Sequence, residues 1–137
     1  MGEMMNYEKK QKMMVVVSMS CLNVCWGLMC AMQAPFFPKE AALKGATATQ
    51  FGGVFGIIHL AIVLASPVMG KLVTRLGVAN IFKFGALLTS ASTFGFGFLA
   101  YVNNKVIFLT LAYALRFLEG LGGAALWTSM LALLLKW

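Results

Sequence analysis

Arg116 and Glu119 stand three residues apart in a stretch, Val106 to Leu135, that is otherwise uncharged. On a helix that spacing lets the two side chains meet as an ion pair. A carboxylate in apolar surroundings can hold a proton or an ammonium group, and a neighbouring guanidinium can set which. The plain alternative is that the pair only braces adjacent helices. His59 is a second titratable candidate, since an imidazole can relay protons near neutrality; the competing expectation is a hydrogen-bonded packing residue. Asn23 and Tyr113 add neutral polar groups to the same candidate proton and substrate pathway. No enzymatic centre, metal site or cofactor is expected. The three cysteines, Cys21, Cys25 and Cys30, lie in one apolar run. They are too close together for a disulfide framework and are expected to be small packing residues.

The elements that must position these groups follow from composition. The chain has 137 residues, 61% of them hydrophobic and 11% charged, whereas a soluble domain carries about a quarter charged. A membrane protein is therefore expected. Its net charge of +7 does not point to nucleic acid. The cations flank apolar runs and form no basic stripe. A bilayer core about 30 Å thick requires on the order of 20 apolar helical residues. Four stretches qualify, at about 13–37, 48–70, 82–102 and 106–135. The first is too long for the hydrophobic region of a signal peptide, which runs about 7–15 residues. Backbone groups in lipid must be paired within the segment, and β-alternation is lacking, so helices are the candidates. Residues 1–12 form an expected cytosolic N-terminal segment and 13–137 one four-span unit, joined by PKEAALKGATA, KLVTRLGVAN and NNK.

Arg116 lies about 15 Å along its helix from Val106, at a rise of 1.5 Å per residue. That is near the midplane, where a charge costs roughly 2.5–3.5 kcal/mol on insertion scales. If the N-terminus is cytosolic, Lys9, Lys10, Lys12, Lys71, Arg75, Lys83 and Lys136 share that side, against Lys39, Lys44 and Lys105 on the other. The excess of cations inside predicts that both ends of the chain are cytosolic. Helix four aligns Tyr113, Arg116, Gly120, Gly123 and Trp127. Helix two aligns Gly52, Gly56, His59 and Ser66, and Gly52-x-x-x-Gly56 has the form of a close helix contact. Pro35 and Pro38 are expected to end the first helix.

Two motifs carry a family resemblance. Gly70-Lys71-Leu72-Val73-Thr74-Arg75-Leu76-Gly77 resembles the G-x-L-x-D-R-x-G signature of the major facilitator superfamily, in the loop where that family places it. Arg116-x-x-Glu119-Gly120-x-Gly122-Gly123-Ala124-Ala125 is similar to its fourth-helix motif, R-x-x-Q-G-x-G-x-A. The exit from helix one, Pro35-Phe36-Phe37-Pro38, matches the family's P-x-x-P. The wording there is similar to the vesicular amine transporter branch, above all its polyamine carriers. The resemblance covers Met13 to Trp137. It implies an all-α membrane fold whose four helices are the first four of twelve. It also implies secondary transport of a small organic solute, with an organic cation as substrate and protons as coupling ion, in a vesicle or plasma membrane. Carried over by motif, Arg116 becomes the cavity arginine, and Gly70, Arg75 and Gly77 the cytosolic gating loop. Thr74 stands where the loop motif has an acid, and Glu119 where the helix motif has glutamine. Helix one lacks the acidic residue of the monoamine carriers, leaving Glu119 as the in-membrane anion.

At four spans the chain is expected to be part of a longer carrier. The alternatives are a stand-alone four-helix exporter of the small multidrug type, whose glutamate lies in helix one, and a non-transporting four-span membrane protein.

Overall fold

Long apolar runs satisfy their own backbone by coiling, and each expected span is a helix. The computed structural model describes residues 2–136, with side chains for residues 9–135. The order is α1 (Gly2–Leu43), α2 (Ala48–Leu76), α3 (Val78–Gly97), a 3₁₀ turn (Phe98–Tyr101) and α4 (Lys105–Lys136). All four helices are long and apolar enough to cross a membrane. Of the expected N-terminal segment, residues 2–12 continue α1. Met1 and Trp137 lie outside the described residues, as do the side chains of residues 2–8 and of Lys136, one of the cations expected on the cytosolic side.

The connections are shorter than expected. Residues 44–47 join α1 to α2, Gly77 alone joins α2 to α3, and 102–104 lead into α4. Most of KLVTRLGVAN is therefore helix. The chain turns at Gly77, whose φ of +87° is costly for any residue with a Cβ. Thr47 caps α2 with a reciprocal bond to Gln50, and Asn104 Oδ1 accepts from the amides of Val106 and Ile107 at the start of α4. Each satisfies donors that a helix start leaves free.

Pro35 and Pro38 do not end α1; the helix runs through both to Leu43. The reason is packing. Phe37 and Ala41 are buried, and the Phe37 ring meets Phe55 of α2, Phe96 of α3 and Phe108 of α4 at centroid distances of 5.7, 5.0 and 5.4 Å. Contacts with three helices hold this end in place despite the missing donors, as neighbouring helices do for prolines in membranes.

The helices pack around α4. At one end Phe37, Val54, Phe96, Leu99 and Phe108 form a cluster; at the other Ala65, Met69, Val73, Ile81, Ala124 and Ala125 form a second. Between them backbones come close. A Cβ built on Gly120 would sit 2.6 Å from Ala61 Cβ, and one on Gly85 would sit 2.8 Å from the Gly122 carbonyl. The expected Gly52–Gly56 contact is absent, since both face open space, and Gly53 makes the approach instead, beneath Tyr113. The register is set by burial of Val54 and Ile58, which turns Gly52 and Gly56 outward. The cysteines are not the packing residues expected: Cys21 and Cys25 are exposed and Cys30 half-buried, because α1 buries only Met19, Phe37 and Ala41 among the described residues.

Candidate functional site

Arg116 and Glu119 face inward from α4 and are the most deeply buried charges among the described residues, at 2% and 1% exposure. Arg116 Nη1 donates to Glu119 Oε2 at 2.8 Å. Thr93 of α3 donates to the other carboxylate oxygen at 3.3 Å. The guanidinium lies 4.2 Å from the ring centre of Phe96 and 5.2 Å from that of Phe55. A desolvated ion pair seldom recovers the several kcal/mol lost per ion by Coulomb attraction alone. Two aromatic faces add cation–π attraction, worth about 2 kcal/mol or more when desolvated. Arg116 Nε and Nη2 have no hydrogen-bond partner among the described residues. The pair thus satisfies its anion fully and its cation on one edge only.

Chemically, this is a neutral unit: a buried carboxylate paired with a guanidinium that also rests against two aromatic rings. The order along α4 is set by helical spacing. Residues 112, 116 and 119 share its buried face, as i, i+4 and i+7 positions must.

The other candidates are placed separately. Tyr113 is half-buried and donates from its hydroxyl to the Gln50 carbonyl at 2.9 Å, tying α4 to the start of α2. His59 is exposed, with Nδ1 3.4 Å from the Phe55 carbonyl of its own helix. Asn23 donates to the Met19 carbonyl at 2.9 Å and lines a groove of about 190 Å³ with Trp26, Met29, Thr89, Ser90 and Trp127. Neither Arg116 nor Glu119 lines that groove. Trp26, one of its lining residues, lies against α4 at Gly123, where a Cβ would sit 3.0 Å from its ring. Of the loop motif, Gly70 packs near Thr128 on α4. Arg75 is exposed in the last turn of α2, beside the Gly77 turn. Thr74 donates to the Lys71 carbonyl at 2.8 Å, so it closes its bond locally and carries no charge toward another helix.

Sequence reasoning missed Thr93, Phe55 and Phe96 as partners of the pair. Thr93 belongs to the polar run TSAST at 89–93, but nothing in that run distinguishes it from Ser92, which bonds its own helix at the Leu88 carbonyl. Phenylalanines in an apolar helix carry no signal of cation contact. Lys44, read only as a flanking charge, bonds the carbonyls of Leu99 and Ala100 at 3.0 and 3.1 Å and lies 4.4 Å from the Phe108 ring centre.

Comparison with known proteins places this geometry in context. Residues 19–137 match the family profile described as Major Facilitator Superfamily. The MFS-type transporter SLC18B1 of Rattus norvegicus is 32% identical over 135 residues, covering 98% of this chain and 30% of that protein. The Mus musculus protein of the same name is 32% identical over 127 residues, covering 93% and 28%. That of Homo sapiens is 31% identical over 136 residues, covering 98% and 30%. The chain thus spans about 30% of the length of the curated relatives it matches. No solved structure matches it.

Proposed function

This chain belongs to the major facilitator superfamily, and we propose that it serves a secondary active transporter exchanging protons for cationic amines, polyamines among them. The observation that carries this reading is Glu119. It is the only acidic residue in the apolar stretches 13–37, 48–70, 82–102 and 106–135, is almost wholly buried, and is held by a cation and a hydroxyl. A buried carboxylate that can trade a guanidinium for a proton or an ammonium is what such an exchange needs. Intramembrane ionisable residues commonly mark such pathways.

In this reading Glu119 takes proton and substrate in alternation, and Arg116 neutralises it between loads. Asn23 and Tyr113 contribute polar groups beside the path, and His59 a titratable one. Gly70, Arg75 and Gly77 work as the gating turn at the cytosolic side, with Gly77 as the pivot. Residues 1–12 and both ends of the chain face the cytosol, so Lys39, Lys44 and Lys105 face the opposite compartment, in a vesicle or plasma membrane. The partners are a small organic cation, protons and the lipid bilayer. Membership in the major facilitator superfamily supports a carrier over the stand-alone small multidrug exporter and the non-transporting four-span protein.

The test is uptake of radiolabelled polyamine and monoamine by proteoliposomes containing the full-length gene product, driven by an imposed pH gradient. Gradient-dependent uptake that Glu119→Gln abolishes is the expected result. Uptake indifferent to the gradient would overturn the proton-coupled reading.

A further inference from the structure

Among the buried polar atoms that lack partners within the described residues are Arg116 Nε, Arg116 Nη2 and, on α1, Gln33 Oε1. Two are donors and one is an acceptor. Gln33 is one helical turn before Phe37 on α1 and shares its face. Phe37 packs on Phe55 and Phe96, the two rings that flank the Arg116 guanidinium. Gln33 therefore lies one turn along the α1 face that packs, through Phe37, on the two rings flanking the guanidinium. Its side chain is half-exposed overall, yet its oxygen is fully buried, so the carboxamide points inward while its stem reaches the surface.

Leaving a buried polar group unsatisfied costs about 1–3 kcal/mol, more when it is charged. A buried water is stable where roughly 2–4 polar groups converge on it.

We propose that Gln33 is a positioning residue of the ion-pair site, its Oε1 accepting, through one bridging water, from the free edge of Arg116. The guanidinium is then held at both edges, by Glu119 on its own helix and by α1 across the junction. A displacement of α1 loosens Arg116 without touching the carboxylate. This gives the first helix, which carries no acid in its apolar span, a direct hold on the charged pair of the fourth.

Selective ¹⁵N-arginine labelling in lipid nanodiscs reads the guanidinium directly, with the Nε–H signals of Arg75 and Arg116 each assigned by its loss on substitution with lysine. The expected result is that the Arg116 signal shows slow exchange and a cross-peak to bound water, while exposed Arg75 exchanges freely. Gln33→Leu should remove the water cross-peak and shift the Arg116 signal, leaving Arg75 unchanged. Gln33→Glu should keep Arg116 protected and move its Nε–H further downfield by charge assistance, giving a second test if the leucine variant does not fold. An Arg116 signal without a water cross-peak in the unmodified chain, or one unmoved by both substitutions, overturns the proposal. The readout is local to the guanidinium, so it stands or falls independently of any transport measurement.

Discussion

Glu119 and Arg116 differ in what their removal should do. Glu119→Gln keeps the shape and the Thr93 contact but removes the titratable charge. It should reduce gradient-driven amine uptake more than tenfold, equivalent to about 1.4 kcal/mol of barrier or more, with membrane expression unchanged. Wild-type uptake would mean that the carboxylate is structural. Arg116→Ala strands a buried carboxylate, which costs roughly 3–5 kcal/mol, so both uptake and thermal stability in detergent should fall. Arg116→Lys restores the charge as a compact ammonium without the planar face that lies against Phe96 and Phe55. Partial uptake is expected; full activity of the alanine variant would remove the cation from the mechanism. At this scale the sequence is informative in one direction. A charge pair inside an apolar run is visible because it is costly there. Its partners are not visible, because Thr93, Phe55 and Phe96 are ordinary residues for a membrane helix and acquire their role from facing Arg116.

Between elements, the decisive contacts are backbone approaches and one long side chain. Gly85 sits against the Gly122 carbonyl, and a Cβ there would also meet Ala125 Cβ at 2.9 Å. Gly85→Val should destabilise the α3–α4 seam by about 1–3 kcal/mol, the usual cost of overpacking, and lower the melting temperature in detergent. Gly97→Val is the matched control, since nothing lies within 4 Å of a Cβ there; equal melting temperatures for both variants would show the seam to be loose. Lys44 of the first connection holds the 3₁₀ turn after α3 by bonding the Leu99 and Ala100 carbonyls, while Lys105 donates to the Gly45 carbonyl at 2.6 Å. Hydrogen bonds to charged groups are worth about 1.5–3 kcal/mol, so Lys44→Met should speed amide hydrogen exchange in residues 98–104. Unchanged exchange would reduce Lys44 to a surface charge. The prolines of α1 give the converse lesson: local preference predicts a stop, and the burial of Phe37 and Ala41 overrides it.

As a whole, the molecule alternates direction at each connection, and the contacts of Lys44 and Lys105 bring the first and third connections to the same end. Single cysteines replacing Lys44 and Lys71, in an otherwise cysteine-free background, should react with an impermeant thiol reagent from opposite sides of the membrane. Labelling of both from one side would break the four-crossing topology. Four apolar runs, the flanking cations and the charged pair were legible from composition and spacing. Lipid selects chain segments one at a time, so each span and each costly charge leaves its mark in the local sequence. Helix registers were not legible. Which glycine of α2 meets α4, whether Phe37 anchors a helix beyond two prolines, and which hydroxyl reaches Glu119 all depend on side chains distant in the chain fitting together. Sequence by itself therefore determined that there are four spans and that one of them carries a buried ion pair. Only the tertiary structure decided what surrounds that pair, because packing is settled jointly by several helices and no single helix encodes it.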